Sequence, residues 1–443
     1  MPAPENNDPE IRVTDRAAQA NLRIVLELCA AGRLRCSATT RRPSAATQNL
    51  IAEHLTGGDF YPGTDLAIQT FAWPLLLQAG GLATLDGTKL LLTPKGRAAQ
   101  TKPGHQALAD LWRRWLTRGL IDEFSRVDAI KGQRGANVVS AVKTRRSEVG
   151  EALHLCEPGD WLPVDDLFAL MRQNGLDPAV HRSERALWRL YLQEPEYGSL
   201  GYDGYHPWSL LQGRYTLAVL FEYTATLGLI DVSYIDPVGA RDDYSMLWGA
   251  EGTDTISRYD GLTAVRLNPL GAFVSGMAKR YEPGPDGDLV PTPEESLTVL
   301  DNGDIVATAT ISADDELALT AIAQRTGDRL WTVTTASLLA ALDAGRTPAD
   351  ITTFLRQRTV HALPAILTAM IDDVARRSTL LIDGAQRWLI SSADPALIAL
   401  ITHDRHLRAL CEAVGDHHLA VLPGAETKFR AALRGLGYLV PAK

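Results

Sequence analysis

The chain has 443 residues, 45% of them hydrophobic and 22% charged, with a formal net charge of −9. Its length exceeds what one hydrophobic core holds and predicts about three domains. The composition excludes a disordered, collagen-like or disulfide-rich scaffold, and no apolar run approaches the roughly 18 residues of a membrane span. Met1 to Asp8 shows no basic-then-apolar leader, so a cytoplasmic protein with no membrane partner is expected. Cys29, Cys36, Cys156 and Cys411 lie scattered without a C-x-x-C pair, which predicts neither a zinc site nor a disulfide framework.

Charge is unevenly spread. Residues 1–150 hold 20 Lys and Arg against 14 Asp and Glu, residues 151–300 hold 10 against 23, and residues 301–443 hold 14 against 16. A phosphate-binding surface therefore belongs to the first third.

In chain order, residues 1–14 are polar, contain Pro and are expected to be a disordered arm. The spacing of Ala18, Leu22, Val25, Leu26, Leu28 and Cys29 predicts a helix that stops at Gly32. A basic stretch follows with Arg33, Arg35, Arg41 and Arg42, then helices over 45–55 and 71–78. Asp86-Gly87 between two apolar runs predicts a hairpin, and Thr93-Pro-Lys-Gly opens the next helix. Helix is predicted over 104–150, with Leu108, Leu111, Trp112, Trp115 and Leu116 on one face and Arg113, Arg114 and Arg118 opposite. Lys131, Arg134, Lys143, Arg145 and Arg146 add further positive charge.

The middle third opens with Asp160-Trp-Leu-Pro-Val-Asp-Asp-Leu, a strand-turn leading to a helix capped at Asp165. Helix is predicted over 183–193 and 209–227, with strands over 230–235 and 262–267 flanking a polar insertion at 236–261. Asn268-Pro-Leu-Gly then repeats the polar-Pro-x-Gly turn of residues 93–96. A Pro-, Gly- and Asp-rich linker covers 283–293. Beyond it the pattern predicts a strand at 297–306, helices at 314–326, 335–343, 347–357 and 363–376, a hairpin at 379–391, a further element at 394–413 and an αβ tail from Phe429 to Val440.

Residues 79–98 and 227–273 thus follow one script: a helix ended by Gly, two strands, and a polar-Pro-x-Gly turn into another helix. This order resembles that of winged-helix proteins. The text Thr335-Ala-Ser-Leu-Leu-Ala-Ala-Leu-Asp-Ala-Gly-Arg-Thr-Pro-Ala-Asp-Ile, with Leu363-Pro-Ala-Ile-Leu, Ile371-Asp-Asp-Val-Ala-Arg-Arg and Leu433-Arg-Gly-Leu-Gly-Tyr, resembles the helicase-associated C-terminal domain. That domain occurs beside XPB-type helicases and in stand-alone bacterial proteins, and the resemblance implies a DNA-associated accessory role. The expected fold is mainly α with small β wings (α+β). It comprises an arm at 1–14, a winged-helix domain with a helical extension at 15–147 and a second winged-helix-like domain with a long wing insertion at 148–282. The linker and a helicase-associated domain at 294–443 follow. The sequence contains no G-x-x-x-x-G-K-[ST], the loop that cradles nucleotide phosphates, so no ATP hydrolysis by that route is expected.

The candidate chemistry lies in the loop from Tyr197 to Tyr215, where Asp203, Tyr202, His206 and Gln212 are the candidate catalytic residues. Tyr205, Trp208 and Arg214, with Arg241, Asp242, Arg258, Tyr259 and Asp260 of the insertion, are the candidate pocket. Aromatic rings there could stack on a base while a carboxylate orients water. Set against this is packing of the loop by its own aromatics and a cross-braced network of Arg/Asp pairs. The expected DNA-binding residues are Arg33, Arg35, Arg41, Arg42, Arg113, Arg114, Lys131, Arg134, Lys143, Arg145 and Arg146. His403 and His406 fall short of the ligand count of a zinc site, and neither metal nor cofactor is expected. The leading expectation is a DNA-binding protein without a motor, acting in repair or defence. The C-terminal domain is available for a protein partner. The alternatives are a DNA glycosylase, which resembles the winged-helix alkylpurine glycosylases but lacks their Q-x-Q or Q-x-D signature, and a winged-helix transcriptional regulator.

Overall fold

A helix of sixteen residues, Asp15–Ala30, runs through the interior because Ala18, Leu22, Val25, Leu26 and Cys29 recur at helical spacing and all bury. It belongs to a computed structural model that describes residues 8–135, 137–193, 196–202, 208–247, 249–284, 296–381 and 386–441. The chain is mixed α and β with small sheets, as the sequence predicts. It divides into two units, residues 1–374 and 375–443.

In the first unit the repeated script is present down to its hydrogen bonds. Helix Gln69–Gly80 stops at Gly81, whose φ of 69° suits a residue without a β-carbon. There Gly81 N–H donates to Gln78 O and Leu82 N–H to Leu77 O. In the second copy Gly228 has φ 73°, Gly228 N–H donates to Ala225 O, and Leu229 N–H donates to Thr224 O. Each copy closes on a capped turn with Pro in the first helical turn. Thr93 Oγ1 accepts from Gly96 N–H at 3.1 Å and Asn268 Oδ1 accepts from Gly271 N–H at 3.0 Å. A β-carbon on Gly96 would sit 2.0 Å from Leu82 O, and one on Gly271 would sit 1.9 Å from Leu229 O. Glycine is therefore required at both places by the same close approach of helix to strand.

The two hairpins differ in their surroundings. Ala83–Asp86 pairs with Lys89–Leu92 through the two-residue turn Gly87-Thr88, and only a short bridge from Arg35 to Lys89 extends it among the described residues. The second, Ile230–Tyr234 with Leu262–Leu267, is flanked on both edges, by Glu10–Arg12 and by Trp161–Pro163, to give four antiparallel strands. The arm expected to be disordered is thus an edge strand over residues 10–12. Its position is fixed by Thr14, whose N–H donates to Asp231 at 2.9 Å and whose hydroxyl donates to Ile230 O at 2.7 Å.

Both helices that precede the hairpins are interior. All twelve residues of Gln69–Gly80 are buried, and burial is unbroken from residue 210 to residue 234. The second of these helices contains π-type turns at Ser209–Gly213 and Val219–Thr224 around the α-helical Arg214–Ala218. One hydrophobic core joins them, running from Ala18 to Ala272.

Several expected elements are modified. The helix expected over 104–150 breaks into Gly104–Thr117, a 3-10 turn Glu123–Arg126, a strand Ile130–Lys131 and Val142–Ala152. Gly132 enforces one break, since its φ is 79° and a β-carbon would lie 1.6 Å from Arg189 O. The helix expected over 183–193 is only Glu184–Leu187, followed by the strand Tyr191–Leu192 that pairs with Ile130–Lys131. Asp165 lies in the first turn of Val164–Gln173, where Pro163 holds the cap position. The linker sequence at 285–293 lies outside the described residues.

Residues 297–374 carry their own core of Leu297, Ile305, Leu319, Trp331, Leu355, Leu367 and neighbours. It lies under a sheet with Asp304–Ala307 and Leu330–Thr332 at its centre. The helix Ala313–Ile322 of this segment packs against Asp15–Ala30. There Arg346 pairs with Glu27, and Arg23 Nη1 lies 3.8 Å from Asp314.

The second unit places Trp388–Ser391 and Cys411–Ala413 on either side of His418–Val421. Ile398, Ile401, Leu407, Leu419, Val421, Phe429 and Leu433 form its core with helices Pro395–His403 and Glu426–Gly435. The expected hairpin at 379–391 is represented among the described residues only by its second strand, and no strand follows Gly435 among them. His403 ends its helix, so His406 does not share a helical face with it. No described helix is long and apolar enough to cross a membrane.

Candidate nucleic-acid interface

Four of the candidate pocket residues, Arg214, Arg241, Arg258 and Asp260, are drawn into ion pairs. Arg214 is fully buried, with Nε donating to Asp260 at 3.0 Å and Nη2 donating to Asp243 at 2.7 Å. Asp260 also accepts from Ser257 Oγ at 2.7 Å and from Ile256 N–H at 3.0 Å. Arg241 pairs with Asp165, and Arg258 Nη2 donates to Asp128 at 2.8 Å. Tyr259 is buried and its hydroxyl donates to Glu222, which also accepts from Arg126 Nη2 at 2.9 Å. Trp208 Nε1 donates to Asp177 at 3.2 Å and its ring meets Phe168 edge-on. Tyr202 is exposed and donates to Glu196 O, and Asp242 is exposed. Gln212 is buried with Oε1 lacking a partner among the described residues, as do Glu222 Oε1 and the Tyr223 hydroxyl along the same helix. Asp203, Tyr205 and His206 lie outside the described residues.

This network is a brace between the loop, the insertion and the buried helix. Burial opposes ionisation of Asp243, yet the hydrogen bonds and charge of Arg214 carry its pKa below the usual 3.8. Burial raises the Glu123 carboxyl despite its pair with Arg146. The same burial pushes the thiols of Cys36 and Cys156 up to about 11 and that of Cys29 to about 12, which leaves them inert as nucleophiles.

Arg145 and Arg146 are each 1% exposed, against their expected place at a phosphate surface. Arg145 Nη2 donates to Asp122 at 2.6 Å, Arg146 Nε donates to Glu123 at 3.0 Å, and their guanidiniums lie over the rings of Tyr215 and Trp115. Their positions on Val142–Ala152 face the core, whereas Lys143 of the same helix is exposed.

The remaining expected cations lie at the surface of the first unit. Arg33, Arg41, Arg113, Lys131 and Arg134 are exposed, and Arg35, Arg42 and Arg114 are half-buried. Arg35 Nη1 donates to Gly32 O at 2.6 Å and Arg42 Nη2 to Ser125 at 2.8 Å. A cavity of about 490 Å³ opens between the base of the first hairpin, the closing helix Pro94–Thr101 and the helix Gly104–Thr117. Lys95, Lys102, Arg113 and Arg114 line it around an apolar floor that includes Leu82, Ala99 and Leu111. Asp110 pairs with Lys102 and Arg113, and Arg114 Nη1 donates to Gly80 O at 2.8 Å. Arg118 stands beside the same edge, with Nη1 3.7 Å from where a β-carbon on Gly81 would lie. Lys89, Lys95 and Lys102 were missed by the sequence reading. Their signal was position: Lys89 follows the Asp-Gly turn and Lys95 sits in the Pro-x-Gly turn.

The family described as helicase conserved C-terminal domain matches residues 297–413, or 117 of the 443. This segment is similar to the C-terminal domain of helicases, which are nucleic-acid-associated proteins. It begins at the first strand of the core at 297–374 and runs into the second unit. No curated protein matches the chain.

Proposed function

We propose that the protein is a DNA-binding accessory factor that holds the phosphate backbone and has no P-loop motor of its own, working in repair or in defence against foreign DNA. The observation that carries this reading is the exposed positive surface of residues 33–143, on a chain of net charge −9 that also carries a helicase-type segment. Lys and Arg bound to phosphates release condensed counterions, so affinity must fall steeply with salt. Binding of a labelled 30-base-pair duplex, titrated between 50 and 200 mM salt, tests it. Tight binding at low salt with a slope of several counterions supports the reading; no binding to duplex or single-stranded DNA at low salt overturns it. The glycosylase reading has less to support it, since Arg214 pairs with Asp260 and Asp243, Arg241 with Asp165, and Arg258 with Asp128.

A further inference from the structure

In a helix-turn-helix or winged-helix protein that reads sequence, the helix before the hairpin enters the major groove and offers side chains to base edges. Here that helix is unavailable twice over. Gln69–Gly80 has no exposed residue, and burial over 210–234 covers its counterpart. The second hairpin is also enclosed, with a strand on each edge and all five residues of Ile230–Tyr234 buried. The first hairpin is different: Thr84, Asp86, Gly87, Thr88 and Lys89 are all exposed.

Cations stand at both ends of that hairpin. At its tip Lys89 bridges to Arg35 and Cys36 N–H donates to Thr88 O at 2.9 Å, while Arg33, two residues earlier on the bridging segment, lies further from the turn. At its base are Lys95, Arg114 and Arg118. The side chains of Arg33, Lys89, Lys95 and Arg118 are exposed and have no hydrogen-bond or ion-pair partner among the described residues, so they are free to take up phosphate. A four-residue strand is about 14 Å long at roughly 3.4 Å per residue. That is about four base-pair steps of a duplex.

We infer that the first hairpin lies along the phosphodiester backbone of a duplex, held by cations at its tip and base, and binds it without reading the base sequence. This rests on the DNA-binding reading above and adds the element, the ligand chemistry and the absence of sequence preference. Phosphate contacts position a protein on a duplex, and base contacts, which this arrangement lacks, specify sequence.

The test uses the full chain, two 30-base-pair DNA duplexes of unrelated sequence, a matching RNA duplex, and the combined variant Arg33→Ala, Lys89→Ala, Lys95→Ala, Arg118→Ala. The wild type is expected to bind both DNA sequences within about threefold, against the roughly thousandfold or more that separates specific from non-specific sites. The combined variant is expected to unfold at the wild-type temperature, lose at least about tenfold in affinity at 0.1 M salt and lower the salt slope by roughly 3–4. The single variants Lys89→Ala and Arg118→Ala are each expected to lower the slope by about 1. Comparison of DNA with RNA shows whether the backbone contact is indifferent to the sugar. If the wild type binds but the variants match it, or one sequence is preferred by a hundredfold, the hairpin inference falls and the binding reading stands. Binding lost instead in Lys131→Ala/Lys143→Ala has the same meaning. If the wild type binds nothing, both fall.

Discussion

Arg126 shows what a buried charge does in this protein. Its guanidinium lies 3.6 Å from the centroid of Phe71 and donates twice to Glu222, a side chain with no exposure. Such a pair adds little net stability compared with apolar packing, but removing one member leaves the other charged and unpaired. Arg126→Ala is therefore expected to lower the unfolding free energy by about 3–5 kcal/mol, read from urea unfolding, whereas Arg126→Met with Glu222→Leu costs much less. Equal costs for the single and double variants would contradict this account. Asp243 adds a pH signature. Its folded pKa lies below 3.8, so the stability it contributes is present above that value and is lost as pH falls through the folded value. Unfolding curves between pH 2 and 5 should show a shallower acid loss in Asp243→Asn than in the wild type.

The repeated turns invite a comparison between elements. Gly96 and Gly271 meet the carbonyl of the residue that opens their own hairpin at nearly the same separation. Alanine at either place must displace backbone, at a cost of about 1–3 kcal/mol or more. Gly96→Ala and Gly271→Ala are expected to destabilise alike, measured by thermal unfolding; a neutral result at one would show that the two copies are not built alike. This level was the most legible in the sequence, because Gly, Pro and the capping Thr or Asn act within a few residues of themselves. The helix Asp15–Ala30 was legible for the same reason, from its apolar spacing and the Gly32 that follows it, and Thr335–Asp343 lies at the expected bounds. What the sequence did not show was long-range. Nothing near Arg145 and Arg146 distinguishes them from Lys143, since only their facing, set by the fold, turns them to Asp122 and Glu123. The all-round burial of Gln69–Gly80 depends on what surrounds it, and the pairing of Glu10–Arg12 joins residues more than 200 positions apart.

At the scale of the first unit, residues 297–374 keep a core of their own while a polar seam fastens them to Asp15–Ala30. Glu27 and Arg346 are 10% and 9% exposed at that seam, beside a cavity of about 250 Å³ that Arg23, Gln100 and Asp314 also line. Arg346→Glu sets two carboxylates together in a largely dry place. It is expected to lower stability by about 3–5 kcal/mol and to split thermal unfolding into two steps, as residues 297–374 come away first. The exchange Glu27→Arg with Arg346→Glu should restore most of the loss. A single wild-type-like transition in Arg346→Glu would show that apolar contacts alone hold the seam.

The two hairpins also record how much extra chain their turn can accept. One joins its strands with Gly87 and Thr88, the other with residues 235–261, yet the antiparallel pairing, a side-chain cap on the closing turn and the close glycine contact recur in both. Closing a longer loop costs only about 0.6 kcal/mol for each doubling of length. The hairpin turn is therefore the position at which this architecture has room to evolve, and a natural place to graft an epitope or a fluorophore-bearing peptide between Gly87 and Thr88 without disturbing the buried helix beneath.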